Sequence, residues 1–294
     1  MTTAPELGAA DLVHPGWDAP PNVRAVVTTR DGGVSHPPFG RWTAGGGKGG
    51  PSADPGSEGH ALPGGLNLGR LSGDDLARVE ANRARLVAWA GVPPAWLRQV
   101  HGADVVDAAA ALEAARAGDP LAADASVTDR PGIACTVMVA DCMPVLLCDR
   151  AGRAVGAAHA GWRGLAAGVI ERTAERVAEL AGCGTGDLHA YLGPAIGPTA
   201  FEVGEDVRDA FMTQASALGG EQREATSAAF AARPGMPGKY FADLGALGRL
   251  RLASLGVQRI SGGDLCTYTQ PERFYSYRRD RVTGRMAALI WLTP

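Results

Sequence analysis

Apolar positions along this chain follow two patterns, short near-continuous runs bounded by Gly, Pro or Asp, and longer stretches at helical spacing. Residues 133–140 and 154–158 are runs of the first kind, which predict buried strands. Leu76, Val79, Leu86, Val87 and Trp89 recur among Arg and Glu ahead of Gly91 and Pro93, predicting an amphipathic helix over 74–90. Val169, Ile170, Thr173, Val177 and Leu180 predict a second helix over 165–180, opened by the Gly-rich turn 161–164. A short strand is expected at 188–192, and the aromatic segment 274–279 reads as an edge strand by composition, whether or not it also lines a pocket. Strands alternating with helices in this way indicate an α/β or α+β domain of mixed sheet.

Two segments break the pattern. Residues 40–65 are dominated by Gly, Pro and Ser and read as a flexible insertion, with too few apolar side chains to offset the entropy of ordering. Residues 1–22 read as a flexible start. At 294 residues, 46% hydrophobic and 20% charged with a net charge of -3, the chain suits a soluble enzyme. No long basic run suggests nucleic acid, and no stretch approaches the roughly 18 apolar residues of a membrane span. A cytoplasmic location is expected, with five scattered cysteines kept as thiols. The Gly-x-Gly fragments at 182–186 follow a helix, so the context of a dinucleotide fingerprint is missing.

The candidate chemistry lies where the two buried strands end. Ala-Asp-Cys-Met-Pro at 140–144 follows the first, and Ala-His-Ala-Gly-Trp-Arg-Gly at 158–164 follows the second. Side chains there are rigidly held above a sheet, so Cys142 and His159 can converge. His101, in Arg-Gln-Val-His-Gly at 98–102, is a third candidate, beside a glycine that permits a sharp turn. One thiolate and two imidazoles suit Zn²⁺ and leave a fourth position open, as catalytic zinc sites do. Spacing alone is weak evidence, because a lone His or Cys at a strand end is more often a satisfied core residue. Arg163 and the helix start beside it form a candidate anion site, unless Arg163 pairs with Asp141 instead. Trp162 is either packing or a stacking wall. His14, His36, His60 and His189 fit core or surface roles, and Cys148 a core thiol.

Ordered motifs along nearly the whole chain carry a resemblance. They include Thr29 to Ser35 (TRDGGVS), Leu66 to Gly69 (LNLG), Asn82-Arg83, Gln99 to Gly102 (QVHG), Ala123-Asp124-Ala125, Ala140-Asp141-Cys142 and His159 to Gly164 (HAGWRG). Downstream come Gly193 to Ile196, Phe201-Glu202-Val203, Phe241 to Leu244, Cys266-Thr267, Phe274 to Arg279 and Thr283-Gly284-Arg285. The chain resembles the bacterial laccase-domain family (YfiH/YlmD-like and FAMIN-related), whose members are labelled multicopper polyphenol oxidase, peptidoglycan editing factor or purine nucleoside phosphorylase. The resemblance implies a single α+β domain over 1–294, with mixed β-sheets flanked by helices. It also implies a metal triad of His101, Cys142 and His159.

From the resemblance the expected function is a zinc-dependent purine nucleoside phosphorylase acting on adenosine, inosine and guanosine. Adenosine deaminase and methylthioadenosine phosphorylase activities are implied beside it. Purine nucleosides and phosphate are the expected partners of a monomer. Asp141 and Arg163 are the expected catalytic residues, Asp141 as a proton shuttle unless it only holds backbone amides. Arg30, Asn67, Gln99 and Arg163 are expected at the substrate, the first three with turn or capping roles as the plain alternative. Asn82 and Arg83 read as a solvated face or a link to a neighbouring loop. Three competing functions remain. A cysteine amidase acting on peptidoglycan precursors would use Cys142 as nucleophile, which requires a thiolate free of metal. A phenol oxidase would use copper, yet six histidines without a His-x-His pair cannot assemble a four-copper centre, only a single copper on the triad. A non-catalytic nucleoside-binding protein would keep the pocket alone.

Overall fold

The computed structural model describes residues 7–42, 62–217 and 219–294. Strands β1 (Leu12–Val13), β2 (Val23–Thr28) and β3 (Asp31–Ser35) precede helix α1 (Leu76–Ala90) and strand β4 (Pro94–Ala95). Then come β5 (Val105–Asp107), α2 (Ala108–Arg116), β6 (Ala125–Thr128), β7 (Ala134–Val139), β8 (Met143–Asp149) and β9 (Val155–Ala160). Next are α3 (Trp162–Ala166), α4 (Val169–Ala181), β10 (Leu188–Leu192), β11 (Glu202–Gly204), α5 (Glu205–Ala217) and α6 (Gly220–Ala228). The chain closes with β12 (Phe230–Ala232), β13 (Lys239–Ala242), α7 (Leu244–Ser254), β14 (Arg259–Gly262), α8 (Tyr277–Asp280) and β15 (Met286–Leu292).

Two large sheets, ordered β1-β2-β15-β7-β4 and β14-β10-β8-β9-β6-β5, form the body, and β11-β13-β12 form a small third one. Most neighbours are antiparallel, whereas β4–β7, β5–β6 and β10–β14 pair in parallel. The two-residue period of a strand explains the layering. In β8, Leu146 and Cys148 join Cys135, Val137 and Val139 of β7 and Ile290 of β15 in a core between the sheets. Its alternate residues Val145 and Leu147 pack with Ile170, Ala174 and Val177 of α4 and Leu247 and Leu252 of α7. On the far face of the first sheet, Val26, Leu289 and Trp291 meet Leu86 of α1. Helices therefore flank two packed mixed sheets in one α+β domain, as the sequence predicts.

Several local expectations change. The helix expected over 165–180 is two helices, α3 and α4, because Gly168 takes a left-handed φ of 88° between them. A five-residue α3 leaves no extended dipole behind the anion site expected at its start. Segment 274–279 is not an edge strand. Phe274 and Tyr275 are buried, and Ser276 Oγ then accepts from Arg279 N at 3.2 Å to cap α8. Of the expected flexible start, residues 1–6 lie outside the described residues, while Leu12 and Val13 form a strand that pairs with Thr28 and Val27. His14 thus sits after a strand, its ring 6.2 Å from that of Trp89. The centre of the expected 40–65 insertion, residues 43–61 with His60, lies outside the described residues, and Arg41 N donates to Leu62 O at 2.9 Å across its ends.

Helix α1 starts where the Asp75 side chain accepts from Ala77 N and ends at left-handed Gly91. Asn82 and Arg83 are not a solvated face but the buried link to neighbouring loops. Asn82 accepts from Val34 N and donates to Ser35 Oγ, Gly65 O and Asn67 O, while Arg83 donates through Nε to Leu68 O. Unpaired, those loop carbonyls would each cost about 1–3 kcal/mol when buried. Arg83 is stacked 4.1 Å over Trp96, and burial brings its pKa down to about 10.

Candidate metal centre

Strand register brings the triad together. Met143 pairs with Ala160 where β8 and β9 meet, which sets Cys142, one residue earlier, beside Gly161. Ala125 pairs with Ala158, which sets Asp124 beside His159, and His159 N donates to Asp124 O at 2.7 Å. His101 arrives on the loop between β4 and β5. It takes the left-handed backbone itself, at φ 61°, where the sequence pointed to Gly102 for the turn. Ligand atoms of His101, Cys142 and His159 lie within 4.8 Å of one another, with Cys142 Sγ 3.8 Å from His101 Nε2. Among the described residues this is the one such cluster of His, Cys, Asp or Glu side chains.

The surrounding groups fit a metal. Asp124 is fully buried, and its Oδ1 lies 2.8 Å from His159 Nδ1, which fixes the ring so that Nε2 faces the cluster. The same carboxylate accepts from the backbone N–H groups of Val100, His101 and Gly102, so it holds two of the three ligands at once. Gly161 supplies the space, since a Cβ there would stand 2.8 Å from Cys142 Sγ and 3.1 Å from His101 Cδ2. Gly161→Ala should therefore push at least one ligand away and weaken metal retention by roughly tenfold or more. Metal content after dialysis measures this, and full occupancy in the variant would contradict the cradle.

Charge is distributed to match. Burial alone would raise the Cys142 thiol, but protonated His159 beside it and hydrogen bonds from His101 and His159 bring it down to about 6. Burial opposes a charge on His159, yet the Cys142 thiolate and Asp124 raise it to about 9. The pair thus favours a thiolate, the form that binds metal. Cys148 lies in the core as expected, and Cys135 is buried with it.

The other expected site residues fall differently. Asp141 has a left-handed φ of 96°, with Oδ1 accepting from Thr267 Oγ1 at 2.7 Å and Oδ2 from Arg278 N at 2.6 Å. Both oxygens are engaged in clamping the loop before Cys142, as the holding role requires. Arg163 is exposed, stacked 4.4 Å over Trp162 and not paired with Asp141. Arg30 is buried and donates to Gly40 O and Pro271 O, anchoring both loops. Gln99 exchanges two hydrogen bonds with the backbone of Met138, both 2.8 Å, and so ties the His101 loop to β7. Asn67 is fully buried, donating to Ser72 Oγ and Asp74 Oδ2 and accepting from Gly69 N and Arg285 N. Asp124 and Arg285 lie within motifs that give them no role in the sequence. In sequence an acid within a short motif resembles any turn residue, and only the pairing of β6 with the His159 strand reveals its work.

Fold and site together define a single-domain α+β protein with a His-Cys-His candidate metal centre. The chain belongs to the multi-copper polyphenol oxidoreductase laccase family, whose model matches residues 24–293. It is 46% identical over 286 residues to Purine nucleoside phosphorylase YfiH of Escherichia coli K12, covering 96% of this chain and 98% of that one. Purine nucleoside phosphorylase PA4543 of Pseudomonas aeruginosa is also 46% identical, over 281 residues, 95% of this chain and 97% of that one. The crystal structure of Neisseria meningitidis protein NMB0706 superposes with a TM-score of 0.80 at 44% identity, covering 97% of this chain and 100% of that one. That of YlmD from Geobacillus stearothermophilus gives 0.78 at 28% identity, covering 98% of each. No helix among the described residues is long and apolar enough to cross a membrane.

Proposed function

We propose that this protein is a zinc-dependent purine nucleoside phosphorylase, acting on adenosine, inosine and guanosine with inorganic phosphate. The observation that carries the reading is the convergence of His101, Cys142 and His159, braced by Asp124, in a chain 46% identical to proteins of that name. Zinc suits two imidazoles and a thiolate, and when bound it supplies a Lewis acid with one open position. The chain's own residues do the remaining work. Asp124 holds the His159 tautomer and the His101 backbone, Asp141 clamps the Cys142 loop, and Gly161 keeps the cradle clear. Phosphorolysis forms a bond from phosphate oxygen to the anomeric carbon as the bond to the purine nitrogen breaks, so placing an anion beside a sugar is the main task. The same rigid centre suits methylthioadenosine phosphorolysis and adenosine deamination as side activities. Copper fits the same donors, but one triad does not make a multicopper centre.

The test is to incubate metal-loaded protein with inosine or adenosine, with and without phosphate, and to separate free base, ribose 1-phosphate and ammonia by chromatography. Free base should appear only with phosphate and vanish in His159→Ala. Ammonia from adenosine would add the deaminase, and no product at all would refute the phosphorylase.

A further inference from the structure

A cation at the phosphate would favour phosphorolysis, and Arg163 is exposed and stacked on Trp162. Arg285 is better placed. Met286 pairs with Val139, so the register sets Arg285, one residue earlier, beside Ala140 and the Asp141–Cys142 loop. Its backbone N–H donates to Asn67 Oδ1 at 2.9 Å. Its stem lies over Gly69, where an added Cβ would stand 2.7 Å from Arg285 Cγ and 3.1 Å from its Cβ. Nη1 caps the carbonyls of Thr283 and Gly284 at 3.1 and 3.0 Å. Nε and Nη2 have no hydrogen-bond partner among the described residues, and no carboxylate there pairs with the guanidinium. Burial lowers the pKa of this arginine, while Cys142 and Asp141 lie near enough to act the other way. A half-buried guanidinium with one N–H edge spent and the other open suits two oxygens of one tetrahedral anion.

We infer that Arg285 receives phosphate beside the metal centre, and that Asn67 and Gly69 are positioning residues that aim it. The inference deepens the phosphorylase reading and rests on it for the identity of the anion. It also gives Asn67 a role at the substrate that acts through Arg285 rather than by contact.

Calorimetric titration of inorganic phosphate into metal-loaded protein tests it, alongside separate KM values for phosphate and inosine. Arg285→Gln should weaken phosphate binding and raise the phosphate KM at least about tenfold, while the inosine KM moves less than about twofold, because a charge-assisted pair is lost at one substrate only. Gly69→Ala should shift the phosphate values severalfold in the same direction, because the stem must move. Should Arg285→Gln fail to fold, Arg285→Lys carries the test, with an intermediate loss from keeping charge without the fork. Wild-type protein that binds no phosphate, or an Arg285 variant that binds it as well as wild type, overturns the inference. Phosphate-dependent release of base unchanged in the variant sinks the inference but leaves the phosphorylase standing. Arg285-dependent phosphate binding without release of base upholds the anion site and sinks the phosphorylase instead.

Discussion

Asp124→Ala is expected to strip the metal centre and destabilise the whole fold together, because one buried carboxylate serves both. Its Oδ1 takes His101 N at 2.9 Å and His159 Nδ1 at 2.8 Å, and its Oδ2 takes Val100 N at 3.1 Å and Gly102 N at 2.7 Å. Alanine leaves those four donors without that acceptor, and unmade buried hydrogen bonds cost about 1–3 kcal/mol each, less where water reaches. A net loss of roughly 4 kcal/mol would lower Tm by about 10 °C in a chain of this size. Metal affinity should fall roughly 10- to 100-fold as His159 loses its orientation. Asp124→Asn offers no rescue, because either amide orientation sets an NH₂ group against donors. Burial would raise this carboxyl, but His159 and the Gly102 and Val100 amides hold it below the usual carboxylate range. A depressed acid stabilises the fold above its unfolded pKa and loses that contribution as pH falls through the folded one. The Tm gap between wild type and variant should therefore be full near neutrality and narrow in acid. A variant that keeps its metal and melts within about 2 °C of wild type would contradict this account.

Why Asp124 was not assigned from sequence shows what sequence patterns can carry. Buried strands β7 and β9 are legible because near-continuous apolar runs of eight and five residues, at 133–140 and 154–158, are too short for a typical helix. Helix α1 was legible from its stripe and its Gly91 stop. The break at Gly168 was not, because Val169, Ile170 and Thr173 continue the helical period and hide one left-handed residue. Segment 274–279 misled because propensity reads the aromatics as a strand, whereas burial of Phe274 and Tyr275 and the Ser276 cap are tertiary facts. Motifs rather than spacing mark the triad, since Cys142 and His101 are 41 residues apart and no local ligand spacing joins them. Arg30, Gln99 and Asn67 were conspicuous as polar motif residues, but the physical demand on each is to satisfy buried backbone or a neighbouring side chain. Polarity in a motif flags a constraint without saying whether substrate or chain imposes it.

Removing Cys142 should have the other large effect, and it separates the metal reading from the cysteine hydrolase. Both mechanisms predict an inactive Cys142→Ser, with turnover down at least about 100-fold, so loss of activity alone decides nothing. What differs is the state of the thiolate in the native enzyme. In metal-free protein the Cys142 thiol sits at about 6, whereas burial pushes Cys135 and Cys148 up to about 12. At pH 7 Cys142 would be roughly nine-tenths thiolate and the other two almost none. Iodoacetamide should therefore modify Cys142 in stripped protein well before Cys135 or Cys148, as mass spectrometry of peptides would read. A metal held by His101, Cys142 and His159 occupies that sulfur, so loading with one equivalent of zinc should slow alkylation of Cys142 at least about tenfold and restore turnover together. Cys142→Ser should bind zinc at least about 100-fold more weakly, because an un-ionised hydroxyl replaces a thiolate ligand. If zinc-loaded protein is alkylated at Cys142 as fast as stripped protein, the thiolate is free and Cys142 is a nucleophile rather than a ligand.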